Sequence, residues 1–197
     1  MSRVVVTEFV TLDGVMEDPG GGEKYPYGGW SWQFWNDEAA KYKFEELFSS
    51  GSLLLGRITY EGFAVTWPTM TDDTGFSDRM NSLPKFVAST TLKDPIWNAS
   101  VIEGDVVEEV SRLRQQPGQD ILVAGSAKLV ETLVRNSLVD EYRLMLHPVV
   151  VGGGKRLFRD GLDTTLLKLV DVTRFESGVV ILTYQPSDAI QPEGAAK

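Results

Sequence analysis

The sequence predicts an α/β fold in three layers: one mixed, mostly parallel sheet, helices on both faces, and an antiparallel hairpin at its C-terminal end. Three observations carry that expectation. Short apolar runs of buried-strand length (Val4–Val10, Leu53–Leu55, Pro84–Ser89, Asp120–Ala124) alternate with helical stretches, and that alternation implies crossovers and a parallel sheet. Twice, at Gly56 and at Gly125, an apolar run passes through small residues straight into a helix start. Finally, Leu166–Phe175 and Val179–Tyr184, split by Glu176-Ser177-Gly178, read as a closing hairpin.

The 197 residues suit one domain with a substantial core, expected over residues 1–185 and followed by a flexible tail over 186–197. A formal net charge of −9 repels phosphate backbones, which argues against nucleic acid or an anionic membrane as partner. Any phosphate-bearing ligand therefore needs a local cationic pocket. The chain has no cysteine, excluding disulfides, thiolate metal sites and thiol nucleophiles; no metal is expected. No apolar run approaches a membrane span, and the N-terminus enters a strand without the regions of a signal peptide. A cytoplasmic location is the expectation.

The opening strand ends at Thr11-Leu12-Asp13-Gly14, where Asp13 either bonds its own turn or faces a ligand cleft. Glu17–Gly29 is a long loop rich in glycine and proline, and Gly20-Gly21-Gly22 reads as flexibility. Trp30, Trp32, Phe34 and Trp35 follow, suiting a pocket wall for a flat heterocycle, a core edge or a subunit contact. Asn36-Asp37 marks a helix start and Glu38–Phe48 a helix.

Gly51–Glu61 follows: three leucines, Gly56 as a turn, then a helix whose N-terminus carries free amides and a positive dipole, a seat for phosphate. Arg57 adds a forked cation and Thr59 a hydroxyl; the same residues also suit an ordinary joint with a surface arginine. Phe76–Ser82 is a helical turn. The next strand ends in Ser89-Thr90-Thr91 with Lys93 close by, either a sugar-phosphate site or a polar turn. Asp105–Gln116 and Ala127–Arg135 are amphipathic helices, the second entered through Gly125-Ser126. Val139–Val151 reads as one long strand; its His147, the single histidine, is a candidate general acid, but within an apolar strand before Pro148 a structural role is the expectation.

With these motifs in place the chain resembles the dihydrofolate reductase-like superfamily. It is most similar to stand-alone proteins related to the C-terminal reductase domain of the bifunctional riboflavin-biosynthesis enzyme. The marks are Thr11–Gly14, Gly56–Glu61, Lys85–Thr90, Val123–Ser126 before Leu129, and His147-Pro148 followed by Gly152–Phe158. The resemblance implies NADPH as hydride donor, with Gly56, Thr59, Gly125, Ser126 and Ala127 at its pyrophosphate and Arg57, Ser89 and Thr90 at its 2′-phosphate. It also implies a homodimer, through the 139–151 region, and a small-molecule substrate.

The expected activity is hydride transfer to a small heterocyclic or sugar-imine substrate, as in 5-amino-6-(5-phosphoribosylamino)uracil reduction. Asp13 is the first candidate for a substrate-orienting or proton-relaying carboxylate and Asp37 the second; Trp30, Trp32 and Trp35 form the substrate wall. The alternatives are a dihydrofolate or pteridine reductase, although Ala39-Ala40 stands where that activity needs an acid, and a non-catalytic nucleotide-binding homologue.

Overall fold

The computed structural model describes residues 1–187. Among them eight strands form one sheet: β1 (Val4–Thr11), β2 (Ser50–Gly56), β3 (Lys85–Ala88), β4 (Ala99–Val101), β5 (Asp120–Val123), β6 (Glu141–His147), β7 (Leu167–Arg174) and β8 (Val180–Pro186). The spatial order is β4-β3-β2-β5-β1-β6-β8-β7, and β8 alone runs against the rest. The three-layer, mostly parallel sheet with a C-terminal hairpin is the architecture expected. The tail expected from residue 186 lies, from 188 onward, outside the described residues; Pro186 itself closes β8 opposite Leu167.

Helices α1 (Asp37–Phe48), α2 (Arg57–Thr66) and α3 (Phe76–Ser82) cover one face, α4 (Val106–Gln115) and α5 (Ala127–Arg135) the other. Strand parity explains the two cores. Val4, Val6 and Val10 turn toward α4 and α5, joining Val110, Leu129 and Leu133. Val5, Leu53 and Leu55 turn the other way, onto Leu47, Tyr60 and Met80. Burying each of these leucines stabilises the fold by roughly 1.5–3 kcal/mol. Side chains start α1 and α4: Asn36 accepts the Ala39 N–H, and Asp105 those of Val107 and Glu108.

The long strand expected over Val139–Val151 is shorter, because the chain after His147 leaves the sheet to form a loop held by other partners. β6 lies between β1 and β8 and so has no free edge on which a second copy could pair. The exposed apolar residues of the sheet are instead on the edge strand β7, at Leu169, Val170 and Val172. β4 was not expected; three residues are too few to show an alternation.

The feature that matters for function is a stagger. β5 makes its last pairs at Val123, with Val6 of β1 and Leu54 of β2. β2 continues for Leu55 and Gly56, and β1 for Thr7 to Thr11, still paired with β6. A notch is left in the carboxyl edge of the sheet, and the turn Ala124-Gly125-Ser126 fills its base.

Candidate active site at the carboxyl edge of the sheet

In open α/β sheets the carboxyl ends of the strands are where ligands bind. Along this edge five adjacent strands β3-β2-β5-β1-β6 end in turn at Ala88, Gly56, Val123, Thr11 and His147, with Ser89 just past β3 and Gly125 just past β5. Four inter-strand steps span about 19 Å, long enough for an extended dinucleotide.

The two strand–helix corners touch. The Gly56 N–H donates to the Gly125 carbonyl at 3.1 Å. A Cβ on Gly56 would overlap the Ser126 hydroxyl and stand 2.9 Å from Ser126 Cβ; one on Gly125, whose φ is +86°, would stand 2.8 Å from Thr59 Oγ1. Only glycine lets the corners approach this closely. Neither helix has a side-chain cap: the N-cap residue is Gly56 for α2 and Ser126 for α5, with no side-chain bond to the first-turn amides. Among the described residues the Thr59 and Ser126 hydroxyls also have no partner. Two uncapped helix N-termini, two spare hydroxyls and close backbone approach form a cradle that fits a pyrophosphate. Ala127, the first residue of α5, belongs to the same corner.

The other candidates for the dinucleotide flank that cradle. Arg57 is exposed and pairs with Glu61 one helical turn on, at 3.0 Å. Ser89 sits just past β3, its hydroxyl accepting the Thr91 and Leu92 N–H groups at 3.1 and 2.9 Å, so it forms a polar turn. Thr90 is exposed beside it.

Asp13 is held as a clamp. Its carboxylate accepts the Thr11 hydroxyl at 2.6 Å and the backbone N–H groups of Val151 and Gly152 at 3.2 and 2.8 Å. The Thr11 hydroxyl, helped by these amides against the opposing cost of desolvation, draws its pKa down to about 2. Such an anion, with both oxygens engaged, fixes the 148–152 loop and holds no proton at neutral pH; the proton-relaying role expected of it does not fit. Asp37 is exposed in the first turn of α1, and its neighbour Glu38 accepts the Glu176 N–H at the β7–β8 turn. That is the β6–β8 side of the edge, away from the glycine corners.

The three tryptophans do not form one wall. Trp30 is buried, its indole N–H on the Glu17 carbonyl and its ring edge-on to His147 at 5.1 Å. Phe9 and Phe34 complete the cage around His147. Burial lowers the pKa of His147, which bonds the Met145 carbonyl at 2.9 Å and stays neutral. Trp32 and Trp35 are exposed and meet edge to face, Trp35 also lying against Phe9.

The glycine loop expected to be flexible is organised by Asp18. This carboxylate is buried and takes the Glu23 and Tyr25 N–H groups, while its carbonyl takes that of Gly29. Tyr25 donates to the Gly153 carbonyl at 2.6 Å and Lys155 pairs with Glu17, tying this loop to the Gly152–Gly154 loop. Asp-Pro-Gly at 18–20 was the available signal, a side chain bonding its own turn.

Sequence reasoning also missed Glu8. On β1 it points to the α5 face, beyond the end of β5, so it lies at the floor of the notch. It is 7% exposed, its Oε1 has no hydrogen-bond partner, and the Gly125 amide is the backbone donor at its carboxyl. Burial pushes its pKa up to about 8 against the opposing pull of that amide and of Lys43. A carboxylate interrupting the apolar run Val4–Val10 was the visible anomaly.

A family model described as the RibD C-terminal domain matches residues 2–181. YyaP of Bacillus subtilis (strain 168), an uncharacterised protein, is 32% identical over 185 residues, 92% of this chain and 94% of YyaP. A solved structure from Shewanella sp. PV-4, assigned provisionally to riboflavin biosynthesis, superposes with a TM-score of 0.73 at 20% identity, covering 95% of this chain and 99% of the other. Dihydrofolate reductase from Enterococcus faecalis, solved with NADP(H), gives 0.59 at 16% identity, covering 94% and 97%. The structural likenesses establish the fold.

Proposed function

We propose that this chain, which belongs to the RibD C-terminal domain family, is an NADPH-dependent reductase acting on a small heterocyclic or sugar-imine substrate. A ribosylaminopyrimidine phosphate, the substrate class of riboflavin-pathway reductases, is the acceptor to try first. The observation that carries the reading is the contact between the two uncapped helix N-termini at Gly56 and Ser126, at the base of the notch. When bound, the cofactor supplies hydride to an electrophilic C=N or C=O carbon.

The protein binds and orients. First-turn amides of α2 and α5, with Thr59 and Ser126, hold the diphosphate at no cost in added positive charge. Arg57 turns to the 2′-phosphate, leaving an exposed pair with Glu61 that is worth no more than ~1 kcal/mol. Asp13 holds the loop that closes one side, while Trp32 and Trp35, exposed next to Phe9 of β1, are offered as the part of the substrate wall that a ring can still reach. A folate substrate is disfavoured because Ala39, buried on α1, stands where an acid is needed. The homodimer belongs to the same proposal, its surface better placed on β7 than on β6.

Titration with NADPH tests the reading. Saturable quenching of tryptophan emission with energy transfer to the cofactor is expected, together with NADPH oxidation by at least one acceptor among pyrimidine ribosylamines, pterins and quinones. Absence of binding would remove the reductase; binding without turnover across that panel would leave a nucleotide-binding homologue.

A further inference from the structure

Outside the phosphate cradle, the buried carboxyl of Glu8 has no structural task among the described residues. Lys43, Glu46, Arg143 and Glu141 neutralise one another on the α1 face: Lys43 bonds Glu46 and the Thr7 hydroxyl, and Arg143 reaches Glu46 and Glu141. Glu8 is left out of that network. Among the described residues it caps no helix, pairs with no cation, and keeps one oxygen unpartnered at the spot where β5 has ended and the Gly125 turn begins. A buried carboxyl without a partner oxygen costs free energy that packing alone would remove, so a ligand group is the natural complement.

We propose that Glu8 is the proton donor of the reduction, its unpartnered oxygen facing the acceptor atom once a ring fills the notch. The inference rests on the reductase reading above and deepens it. As hydride from the dihydronicotinamide adds to the acceptor carbon, the π pair of the C=N or C=O bond moves to nitrogen or oxygen. The Glu8 O–H bond breaks and its proton goes to that atom. The carboxylate left behind takes its next proton from solvent when product leaves, so cofactor is oxidised, acceptor reduced, and charge balances.

The surroundings suit this task. From α1, Lys43 favours the carboxylate and Glu46 opposes it; from the β5–α5 turn the Gly125 amide favours it; burial outweighs these and keeps the proton on at neutral pH. Asp13, already an anion, has no proton to give.

The test uses the full chain with 13C-labelled glutamate, following carboxyl titration by NMR with and without saturating NADPH, with Glu8→Gln to assign the signal. Expected are a midpoint near 8 in the free protein, a displaced midpoint with NADPH bound, and NADPH affinity of Glu8→Gln within about threefold of the parent. Turnover of the parent should fall tenfold per pH unit above the midpoint, and Glu8→Gln should lose about 100-fold in kcat and that limb of the profile. An ordinary carboxylate midpoint, a midpoint indifferent to NADPH, or an unchanged kcat in Glu8→Gln would overturn the assignment. Failure of the parent to bind NADPH would instead overturn the reductase reading on which it stands. The titration of the parent needs no variant, so the proposal stays decidable even if Glu8→Gln folds poorly.

Discussion

Replacing Gly56 by alanine probes the contact on which the proposed cofactor site depends. The backbone raises no objection, since φ is −74° there, so the cost is steric. The new methyl would overlap the Ser126 hydroxyl and stand 2.9 Å from Ser126 Cβ and 3.0 Å from its backbone nitrogen. Rotating the hydroxyl relieves the first clash and neither of the others, because those atoms are fixed at the start of α5. Overpacking of this kind costs about 1–3 kcal/mol, against about 0.4–1 kcal/mol recovered by stiffening the unfolded chain. A net loss of about 1–2 kcal/mol is expected by urea denaturation, with NADPH affinity reduced at least tenfold in a tryptophan-quenching titration. Adding Ser126→Ala should restore less than half of the stability. Gly62→Ala is the control: it lies mid-helix on the same α2, a Cβ there meets nothing within 4 Å, and a gain approaching 1 kcal/mol is expected. If Gly56→Ala is as stable as the parent within 0.5 kcal/mol and binds NADPH within twofold, the corners are not locked together and the cradle argument fails.

Arg57→Ala should weaken NADPH by about tenfold and NADH hardly at all in the same titration, a charge-assisted bond being lost only with the 2′-phosphate present. Equal weakening would move the 2′-phosphate elsewhere. Asp13→Asn should cost about 1–2 kcal/mol in urea at neutral pH and speed amide exchange at Val151 and Gly152, whose N–H groups it accepts; unchanged protection there would remove the clamp. The Glu8 pKa, raised from 4.5 in the unfolded chain to about 8, means that the folded state binds the extra proton between those values, so stability falls as pH rises through that window. His147, its pKa lowered, acts below 6.5, and Lys85, lowered to about 8, acts above it, which leaves pH 6.5 to 8 to Glu8. Across it the parent should lose about 2 kcal/mol of unfolding free energy and Glu8→Gln none; parallel profiles would refute the buried carboxyl.

The order of strands and helices was legible because β1, β2 and β5 are buried on both faces and therefore read as apolar runs. The glycines at 56 and 125 were legible as corners for a related reason: small residues between a strand and a helix leave few alternatives. What the sequence could not show is that the two corners touch, since that depends on β2 and β5 being neighbours in space while three helices, α2, α3 and α4, and two strands, β3 and β4, separate them in the chain. Asp13 showed as a candidate but not as a clamp, because its partners at 151 and 152 lie on a remote loop. The long β-rich stretch 139–151 misled for a local reason: Pro148 and the valines after it keep strand composition, yet the Val149 carbonyl and the Val151 N–H bond Leu12 and Asp13, and the Val149 N–H folds back on His147, so no ladder continues.

The stagger of three strands ties the proposed chemistry together. A chain of charge −9 repels an anionic dinucleotide at long range, so attraction has to come from groups that add no net charge, and backbone amides at helix starts are such groups. Ending β5 early places two helix starts side by side, and the same shortfall exposes the next inward-facing residue of β1, Glu8, to the base of the site. Were Glu8 ionised there, its charge would cancel much of what the paired helix ends offer to phosphate, at a distance where little water screens it. On the proposed reading, burial that keeps the carboxyl protonated does two things at once: it preserves the proposed anion site in an acidic protein, and it leaves a transferable proton beside the place where a hydride would be delivered.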